Sequence, residues 1–594
     1  MKKQIEFPAM LSIQWLREMY LKQEITPEEV VTEIIRRSER DKEMNIWINS
    51  PAMQNLKPYL DRLTASDIEK LPLWGIPFAI KDNIDLKGVP TTAGCPEYAY
   101  FPSEHATVVE RLVAAGAIPL GKTNLDQFAT GLVGTRSPYG QAKNALRPEL
   151  ISGGSSSGSA VAVARGQAAF ALGTDTAGSG RVPAALNNLY GFKPSVGAWP
   201  IKGVVPACQS LDCVTAFTTT LEDASFVDEV IRGKDTFDPW SRSLPRTVSR
   251  KPNKLLLPNK ALPFFGPFAN EYEQAWEAAV AEMEKLPLVI EYVDPDLFFQ
   301  VGAILYDGPW VAERWASLGE FIESNPNKAL PVTEKILRSG SNPDYTAAGL
   351  FQAMYKLKAF KREVESLLDD AVLVLPTCGG TWSREQVNED PILTNSQMGL
   401  FTNHCNLLDL GAIAVPVKEA APNLPFGITA FSLHDQENLL FGFSESLLQE
   451  AKEVQSSEVE KTDCTLVAVC GLHMRGFPFE KQMIELGARF VREDVTAANY
   501  QFIKLPTEPA KPGLIKNAAV GASIQVEIWE MPLASFGTFV VSIPAPLGIG
   551  KLELVNGEEV PGFICESYAL QGGEDISASG GWRAATAMIE TRIL

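Results

Sequence analysis

The segment of residues 151–194 constrains this chain more than any other, because it places two glycine- and serine-rich loops beside short apolar runs. The first loop, residues 152–159, runs directly into the apolar residues 160–164, which predicts a loop that leads into a helix N-terminus. The second loop, residues 173–180, follows an apolar run that predicts a short buried strand. Both polar loops are therefore expected to be anchored on regular elements.

Such loops can turn several backbone N–H groups toward one point, and glycine lets a ligand approach those groups closely. Hydroxyls and free amides suit an acyl-transfer site, in which a serine attacks a carbonyl and amides stabilise the oxyanion. A flexible Gly/Ser linker is the alternative, although linkers do not usually run directly into apolar strands and helices. The segment therefore favours a catalytic site over a linker.

The motifs of this segment resemble the signature of the amidase-signature hydrolases. The matching residues are Gly153-Gly154-Ser155-Ser156, Gly173-Thr174-Asp175, Gly178-Ser179, Arg181, Pro183 and Gly191-Phe192-Lys193-Pro194. Ala177 stands where many members of the family have glycine, which favours one branch of the family over the whole.

The resemblance implies three catalytic residues and no cofactor. Ser179 would be the nucleophile, Ser155 a bridging serine after a cis peptide bond, and Lys81 the base. Lys81 would take a proton from Ser155, and Ser155 would take one from Ser179 and later pass a proton to the departing ammonia. The oxyanion would be bound by the backbone N–H groups of Thr176, Ala177, Gly178 and Ser179.

A lysine base also follows from the chemistry, because an amide is inert and no histidine of this chain has a setting that suits general base catalysis. A lysine can act as a base near neutral pH only when burial depresses its pKa. The residues that precede Lys81, from 76 to 80, are apolar and predict such burial. The alternative is a surface lysine paired with Asp82.

Two other motifs point to different functions. Residues 116–123 fit the phosphate-binding pattern GxxxxGK[ST], but a predicted helix precedes them and their inner residues are typical of a strand. Residues 154–158 fit GxSxG, which would make Ser156 the nucleophile of an α/β-hydrolase. That alternative requires a strand directly before Gly154, where Pro148 makes a strand unfavourable.

Composition narrows the class of ligand. A net charge of -19 argues against a nucleic-acid or anionic-membrane surface and favours a small substrate. The N-terminus lacks the apolar stretch of a signal peptide, and the eight cysteines have no framework spacing, so we expect a cytoplasmic protein with reduced thiols. The four histidines form no ligand pattern, so no metal site is predicted.

Strands and helices alternate over most of the chain, which predicts an α/β fold. For residues 1–454 the resemblance implies a three-layer α/β/α amidase domain with a mixed central sheet. Residues 455–463 are polar and charged and are interpreted as a linker. Residues 464–594 contain several short β-like runs, among them 538–542, and predict a small β-rich α+β domain.

This second domain resembles the γ-glutamyl-cyclotransferase-like fold in the form found at the C-terminus of allophanate hydrolases. The resemblance rests on residues 469–476, 487–490 and 580–583. Residues 532–539 contain no glutamate where cyclotransferases carry their acid, so cyclotransferase activity is not expected. In allophanate hydrolases this domain would remove carbon dioxide from N-carboxycarbamate, with His473 as proton donor and Arg475 as anion ligand. The alternative is a histidine that only braces its turn and a domain that only stabilises the dimer.

The amidase domain also resembles the allophanate hydrolase branch at the residues that hold the substrate, which match Gly131, Tyr306 and Arg314. A planar guanidinium can bind the carboxylate of allophanate through two hydrogen bonds. The expected function is hydrolysis of allophanate to ammonia and carbon dioxide, and another small amide such as biuret or malonamate is the alternative substrate. Because members of the family often dimerise, the resemblance further implies a homodimer. Allophanate could come from urea carboxylation or from biuret and triazine breakdown, and in the first case the urea carboxylase would be a separate chain.

Overall fold

The protein is described by a computed structural model that covers residues 7–64, 66–244, 246, 248–460 and 464–593. It divides into two compact units, Met1–Glu450 and Ala451–Leu594. Each unit has its own hydrophobic core.

The first unit is built on one sheet of eleven strands. The strands are β1 Trp47–Asn49, β2 Pro77–Lys81, β3 Ile118–Thr123, β4 Phe170–Asp175, β5 Tyr190–Lys193, β6 Cys213–Thr218, β7 Lys254–Pro258, β8 Val289–Val293, β9 Ala371–Pro376, β10 Gly411–Ala421 and β11 Leu424–Ser432. Their order in the sheet is β1-β3-β2-β4-β6-β5-β10-β11-β9-β7-β8. Parallel pairs such as β2 with β4 occur beside antiparallel pairs such as β4 with β6, so the sheet is mixed.

Helices cover this sheet. They are α1 Ile13–Leu21, α2 Pro27–Arg40, α3 Met53–Thr64, α4 Thr107–Ala114, α5 Ser157–Ala164, α6 Val182–Leu186, α7 Leu221–Ile231, α8 Ala269–Met283, α9 Asp296–Asp307, α10 Val311–Ser324, α11 Pro331–Ser339, α12 Ala347–Leu367, α13 Arg384–Glu389, α14 Leu393–Met398, α15 His404–Leu407 and α16 Asn438–Glu460. Every residue of β2 and β4 is buried, as expected for strands with both faces covered. The predicted α/β fold with a mixed sheet is confirmed.

The second unit contains a five-stranded sheet and a three-stranded sheet. Its elements are β12 Cys464–Val469, α17 Glu480–Glu485, β13 Arg489–Val495, β14 Tyr500–Leu505, β15 Lys511–Lys516, β16 Gln525–Pro532, α18 Leu533–Val541, β17 Leu547–Glu553, β18 Glu559–Cys565, β19 Glu574–Asp575 and α19 Trp582–Ile593. The β-rich α+β architecture agrees with the sequence. The strand predicted at 538–542 is wrong, because these residues begin within α18, which packs Phe539 into the core. Tertiary packing here outweighs the strand preference of β-branched and aromatic residues.

The predicted linker, residues 455–463, overlaps helix α16, which continues to Glu460. Residues 461–463 lie outside the described part of the chain. The domain limits 1–454 and 464–594 stay a proposal.

Candidate active site

Lys81 is the last residue of β2, which lies between β3 and β4 in the sheet, and it is completely buried. Its Nζ donates to Ser155 Oγ at 2.8 Å and to Thr174 Oγ1 at 2.6 Å. Burial lowers the pKa of Lys81 from 10.5 to about 7, although the carboxylates of Asp126, Asp212 and Asp175 oppose this shift. A substantial fraction of Lys81 is therefore a neutral amine at neutral pH, as a general base requires.

Ser155 accepts from Lys81 at the end of β2 and follows a cis peptide bond from Gly154, as the resemblance implies. Its carbonyl accepts from Asp126 N at 3.0 Å. The Asp126 carboxylate in turn accepts backbone N–H bonds from Val133, Gly134 and Arg136 at 2.8 to 3.2 Å. A Cβ at Gly154 would lie 2.0 Å from Asp126 Oδ2, so a side chain at this position is excluded.

A buried ion pair shapes the loop that carries Ser179. The Asp175 carboxylate binds Arg181 through two bonds of 3.0 Å and also accepts the N–H groups of Gly178 and Gly180 at 2.9 Å. Burial alone would raise the pKa of Asp175, but the Arg181 guanidinium outweighs it and lowers the pKa. These bonds to the Asp175 carboxylate therefore fix the backbone on both sides of Ser179.

Ser179 Oγ donates to the carbonyl of Gly131 at 3.5 Å. The structure thus brings together Ser179 and Gly131, two of the residues singled out from the sequence. Among the described hydrogen bonds none joins Ser179 Oγ to Ser155 Oγ, so a proton relay requires the Ser179 side chain to rotate away from Gly131.

The four backbone N–H groups expected to bind an oxyanion do not behave alike. The N–H of Gly178 donates to the Asp175 carboxylate at 2.9 Å, so this amide helps to shape the loop. The N–H groups of Thr176, Ala177 and Ser179 have no acceptor among the described hydrogen bonds. Three donors therefore remain at this turn.

Arg314, on helix α10, is buried, and its Nη1 donates to Thr130 Oγ1 at 3.1 Å. Thr130 directly precedes Gly131, so the guanidinium and the nucleophile contact consecutive residues of one loop. Glu313, which directly precedes Arg314, accepts from Ser210 through both of its carboxylate oxygens. Tyr306 lies on helix α9, but its side chain is outside the described part of the structure.

Sequence reasoning left three polar residues of this site without a role, namely Thr174, Asp126 and Asp212. Asp212 is buried and accepts bonds from the Thr176 hydroxyl and from Ala207 N. Burial raises the pKa of Asp212 to about 6, and the bonds that it accepts oppose this shift. Thr174 lies in the quoted motif Gly173-Thr174-Asp175, and Asp126 lies five residues before Gly131, so both could have been identified. Asp212 had no such signal beyond its place directly before β6.

The two competing motifs have structural explanations. The Ser156 hydroxyl donates to Thr174 O at 3.1 Å and accepts from Thr174 N at 3.2 Å, so it is engaged by the backbone. Residues 118–123 of the phosphate-binding pattern form strand β3, and the lysine of that pattern, Lys122, is buried 3.0 Å from Asp82. Neither the Ser156 nucleophile nor a phosphate loop is supported.

His473 lines a cavity of about 240 Å³ in the second unit. The imidazole stacks on Phe563 with ring centroids 5.0 Å apart, and its Nε2 lies 3.0 Å from Gln482 Oε1. Burial lowers the pKa of His473, and the bond to Gln482 opposes this shift. Lys511 lines the same cavity and was not identified from the sequence.

The expectation that Arg475 holds an anion beside His473 is not supported. Its guanidinium binds Glu527 at 3.2 Å and Glu493 at 2.7 Å, and it packs on the ring of Phe490. These carboxylates satisfy its charge within the structure. Lys511 is instead the cation that lines the cavity.

Within the described residues, no cluster of histidine, cysteine and carboxylate side chains could hold a metal ion. Across that same part of the chain, no helix has both the length and the apolar character needed to cross a membrane. All eight cysteines are free thiols.

Comparison with known proteins agrees with this geometry. A family profile described as Amidase matches residues 29–441, and one described as Allophanate hydrolase C-terminal domain matches residues 465–587. The solved structure of selenomethionine-substituted allophanate hydrolase from Kluyveromyces lactis superposes with a TM-score of 0.71 and 38% identity, covering 98% of this chain and 100% of that chain.

Among curated relatives, the urea amidolyase of Saccharomyces cerevisiae is 39% identical over 579 residues, which is 92% of this chain and 31% of that protein. The urea amidolyase of Lachancea kluyveri is 40% identical over 546 residues, or 87% of this chain and 30% of that protein. This chain therefore spans less than a third of the length of these two relatives. The matched profile and the arrangement of Lys81, Ser155 and Ser179 together lead to one conclusion: the chain belongs to the amidase family, the amidase-signature hydrolases.

Proposed function

We propose that this protein hydrolyses allophanate to ammonia and carbon dioxide. The observation that carries the proposal is the bond of 2.8 Å between the buried amine of Lys81 and the hydroxyl of Ser155, beside the loop of Ser179. The match of residues 465–587 to the allophanate hydrolase C-terminal domain supports the choice of substrate.

The first step is attack of Ser179 on the carbamoyl carbonyl of allophanate. Neutral Lys81 accepts the proton of Ser155, and Ser155 accepts that of Ser179 once the Ser179 hydroxyl has left Gly131 O. The N–H groups of Thr176, Ala177 and Ser179 stabilise the oxyanion as it develops, which is where donors contribute most to the rate.

Collapse of this intermediate releases ammonia, with Ser155 returning a proton to the leaving nitrogen. The acyl group left on Ser179 carries a free carboxylate. Water, activated by the same serine and lysine, then hydrolyses the acyl-enzyme and yields N-carboxycarbamate, in which two carboxylates share one nitrogen.

Arg314 supplies the preference for an anionic substrate. Arg314 is buried, and its Nη1 donates a hydrogen bond to Thr130 Oγ1. The next residue, Gly131, accepts a hydrogen bond from Ser179 Oγ through its carbonyl. A charge-assisted contact with the carboxylate of allophanate at this place would orient the carbamoyl group toward the nucleophile. Gly131 and Tyr306 are proposed to bind the same substrate.

The second unit is proposed to remove carbon dioxide from N-carboxycarbamate in the cavity lined by His473 and Lys511. The ammonium of Lys511 would attract the dianion. The negative charge of that ligand would raise the pKa of His473, which burial otherwise lowers, so that the imidazole could donate a proton to the nitrogen as carbon dioxide leaves.

We further propose a cytoplasmic homodimer that receives allophanate from a separate urea carboxylase. Free thiols at all eight cysteines are consistent with a reducing compartment. The relatives named urea amidolyase, which are about three times longer than the matched region, support a link to the breakdown of urea. Size-exclusion chromatography with light scattering tests the dimer, because a monomer mass would contradict it.

The test of the function is ammonia release by the purified protein offered allophanate, biuret, malonamate and a simple aliphatic amide side by side. We expect the highest kcat/KM for allophanate. A higher kcat/KM for biuret or malonamate would favour that compound as the substrate, and equal values for charged and neutral amides would contradict the role of Arg314.

A further inference from the structure

A tight turn at residues 207–212, here called the bridging turn, contacts the loop of the nucleophile. The N–H groups of Leu211 and Asp212 donate to Cys208 O at 2.8 and 2.9 Å, which closes the turn. The Asp212 carboxylate accepts Ala207 N at 2.8 Å and also the hydroxyl of Thr176. Because Thr176 begins the row of N–H groups proposed to bind the oxyanion, one end of the bridging turn is fixed to that row.

The other end of the bridging turn is fixed to helix α10. Glu313 Oε1 accepts Ser210 N at 2.7 Å, and Glu313 Oε2 accepts Ser210 Oγ at 2.7 Å. Two bonds from one residue to both oxygens of a carboxylate fix its direction as well as its distance. Glu313 directly precedes Arg314 in the first turn of the helix.

The later part of α10 is held by different contacts. Phe321 packs edge-on against Tyr98 and Phe128, with ring centroids 5.1 and 5.8 Å apart. Leu318 and Ile322 belong to the same small hydrophobic cluster, which is separate from the main core. The polar contact of Glu313 therefore acts on the end of the helix from which Arg314 reaches Thr130.

We propose that Glu313 is a positioning residue that fixes Arg314 relative to the oxyanion-binding amides through the bridging turn. The chain of contacts runs from Glu313 to Ser210, through the turn to Asp212, and on to Thr176. Glu313 thereby sets how well the site accepts a substrate carboxylate. The inference rests on the proposed function, since it assigns the carboxylate to Arg314.

The test compares malonamate with malonamide, its neutral amide, on the full-length protein carrying Glu313→Gln. This change keeps the size of the side chain but removes its charge and places an NH₂ group against Ser210. We expect the ratio of kcat/KM for malonamate to that for malonamide to fall about tenfold, mainly through KM for malonamate, as for the loss of a charge-assisted bond. Glu320→Gln, at an exposed position of the same helix, is the matched control and should leave the ratio unchanged.

Ser210→Ala is the second variant, because it keeps the backbone bond to Glu313 and removes only the hydroxyl bond. It should lower the same ratio by a smaller factor, with a melting temperature close to that of the unaltered protein. In an Arg314→Ala background, Glu313→Gln should change the ratio less than about twofold, because coupled residues are not additive.

If Glu313→Gln lowers kcat/KM equally for malonamate and malonamide, Glu313 only stabilises the helix. The same conclusion follows if Glu313→Gln lowers the ratio as much in the Arg314→Ala background as in the unaltered protein. If Arg314→Ala itself lowers kcat/KM equally for both substrates, the substrate carboxylate does not bind Arg314, and this inference fails with that assignment. If Arg314→Ala discriminates between the substrates and Glu313→Gln does not, only the role of Glu313 is overturned.

Discussion

The pKa of Lys81 makes a quantitative prediction about the dependence of the rate on pH. Burial lowers that pKa from 10.5 to about 7. At pH 7 about half of the molecules would hold the neutral amine, compared with about one in three thousand for a lysine of pKa 10.5. Since only the neutral amine can accept a proton, activity should be present above the pKa and lost as the pH falls through it.

The perturbation is Thr174→Val, which removes one of the two hydroxyls that accept from Lys81 Nζ. Hydrogen bonds to a charged donor contribute about 1 kcal/mol more than neutral ones, so the loss should favour the neutral amine. We therefore expect the midpoint of the acid limb to fall by about 0.5 to 1 pH unit. Thr215→Val is the matched control, because the buried hydroxyl of Thr215 has no partner among the described residues.

The assay is kcat/KM for ammonia release from malonamate, measured between pH 5 and 9. The carboxyl group of malonamate stays ionised over this range, and the compound does not lose carbon dioxide as readily as allophanate does in acid. Protonation of Asp212, whose pKa is about 6, would add a second step at lower pH that Thr174→Val does not move. If the acid limb of kcat/KM has its midpoint near pH 7 and this midpoint does not change in the Thr174→Val variant, the titrating group is not Lys81.

Three further experiments test other parts of the site and the fold. Arg314→Ala should cost on the order of 2 to 5 kcal/mol in kcat/KM for malonamate and much less for malonamide, and equal losses would make Arg314 structural. Asp175→Asn leaves Arg181 buried without its carboxylate partner and should lower the free energy of unfolding, measured by calorimetry, by about 3 to 5 kcal/mol. Asp61→Asn breaks the exposed ion pair with Lys57 and should lower it by less than about 1 kcal/mol. His473→Ala and Lys511→Met should each prolong the lifetime of N-carboxycarbamate, measured by carbon-13 NMR, without slowing the first ammonia release. Lifetimes equal to that in the unaltered protein would show that this cavity does not carry out the decarboxylation.

Much of the fold could be predicted where the sequence pattern is strong. The run Thr26-Pro27-Glu28-Glu29 predicts an N-cap, a proline in the first helical position and a capping box, and helix α2 begins in this way. The short and wholly apolar run of residues 371–376 predicts a strand covered on both faces, and strand β9 spans Ala371–Pro376. Helix α18 was missed since its residues have strand preferences that packing overrides.

The residues of the candidate site were predictable where a motif carries them, as for Lys81, Ser155 and Ser179. The sequence could not indicate that the N–H of Gly178 is used by Asp175, because that depends on how the loop folds back on its own carboxylate. It also favoured Arg475 over Lys511, since Arg475 is beside His473 in the chain. The structure turns Arg475 toward Glu527 and Glu493, while Lys511 reaches the cavity from another strand, a contact that spacing alone does not reveal.

The most direct test of the central claim is ammonia release from allophanate by Ser179→Ala, measured beside Ser156→Ala. If Ser179 is the nucleophile, its replacement should abolish activity to within the background while the protein still melts at its usual temperature, because removal of one member of a catalytic unit costs about as much as removal of several. Ser156→Ala should retain turnover, since the Ser156 hydroxyl bonds only to the backbone of Thr174 among the described residues. Near-normal turnover by Ser179→Ala, with loss of activity in Ser156→Ala, would contradict the proposed mechanism.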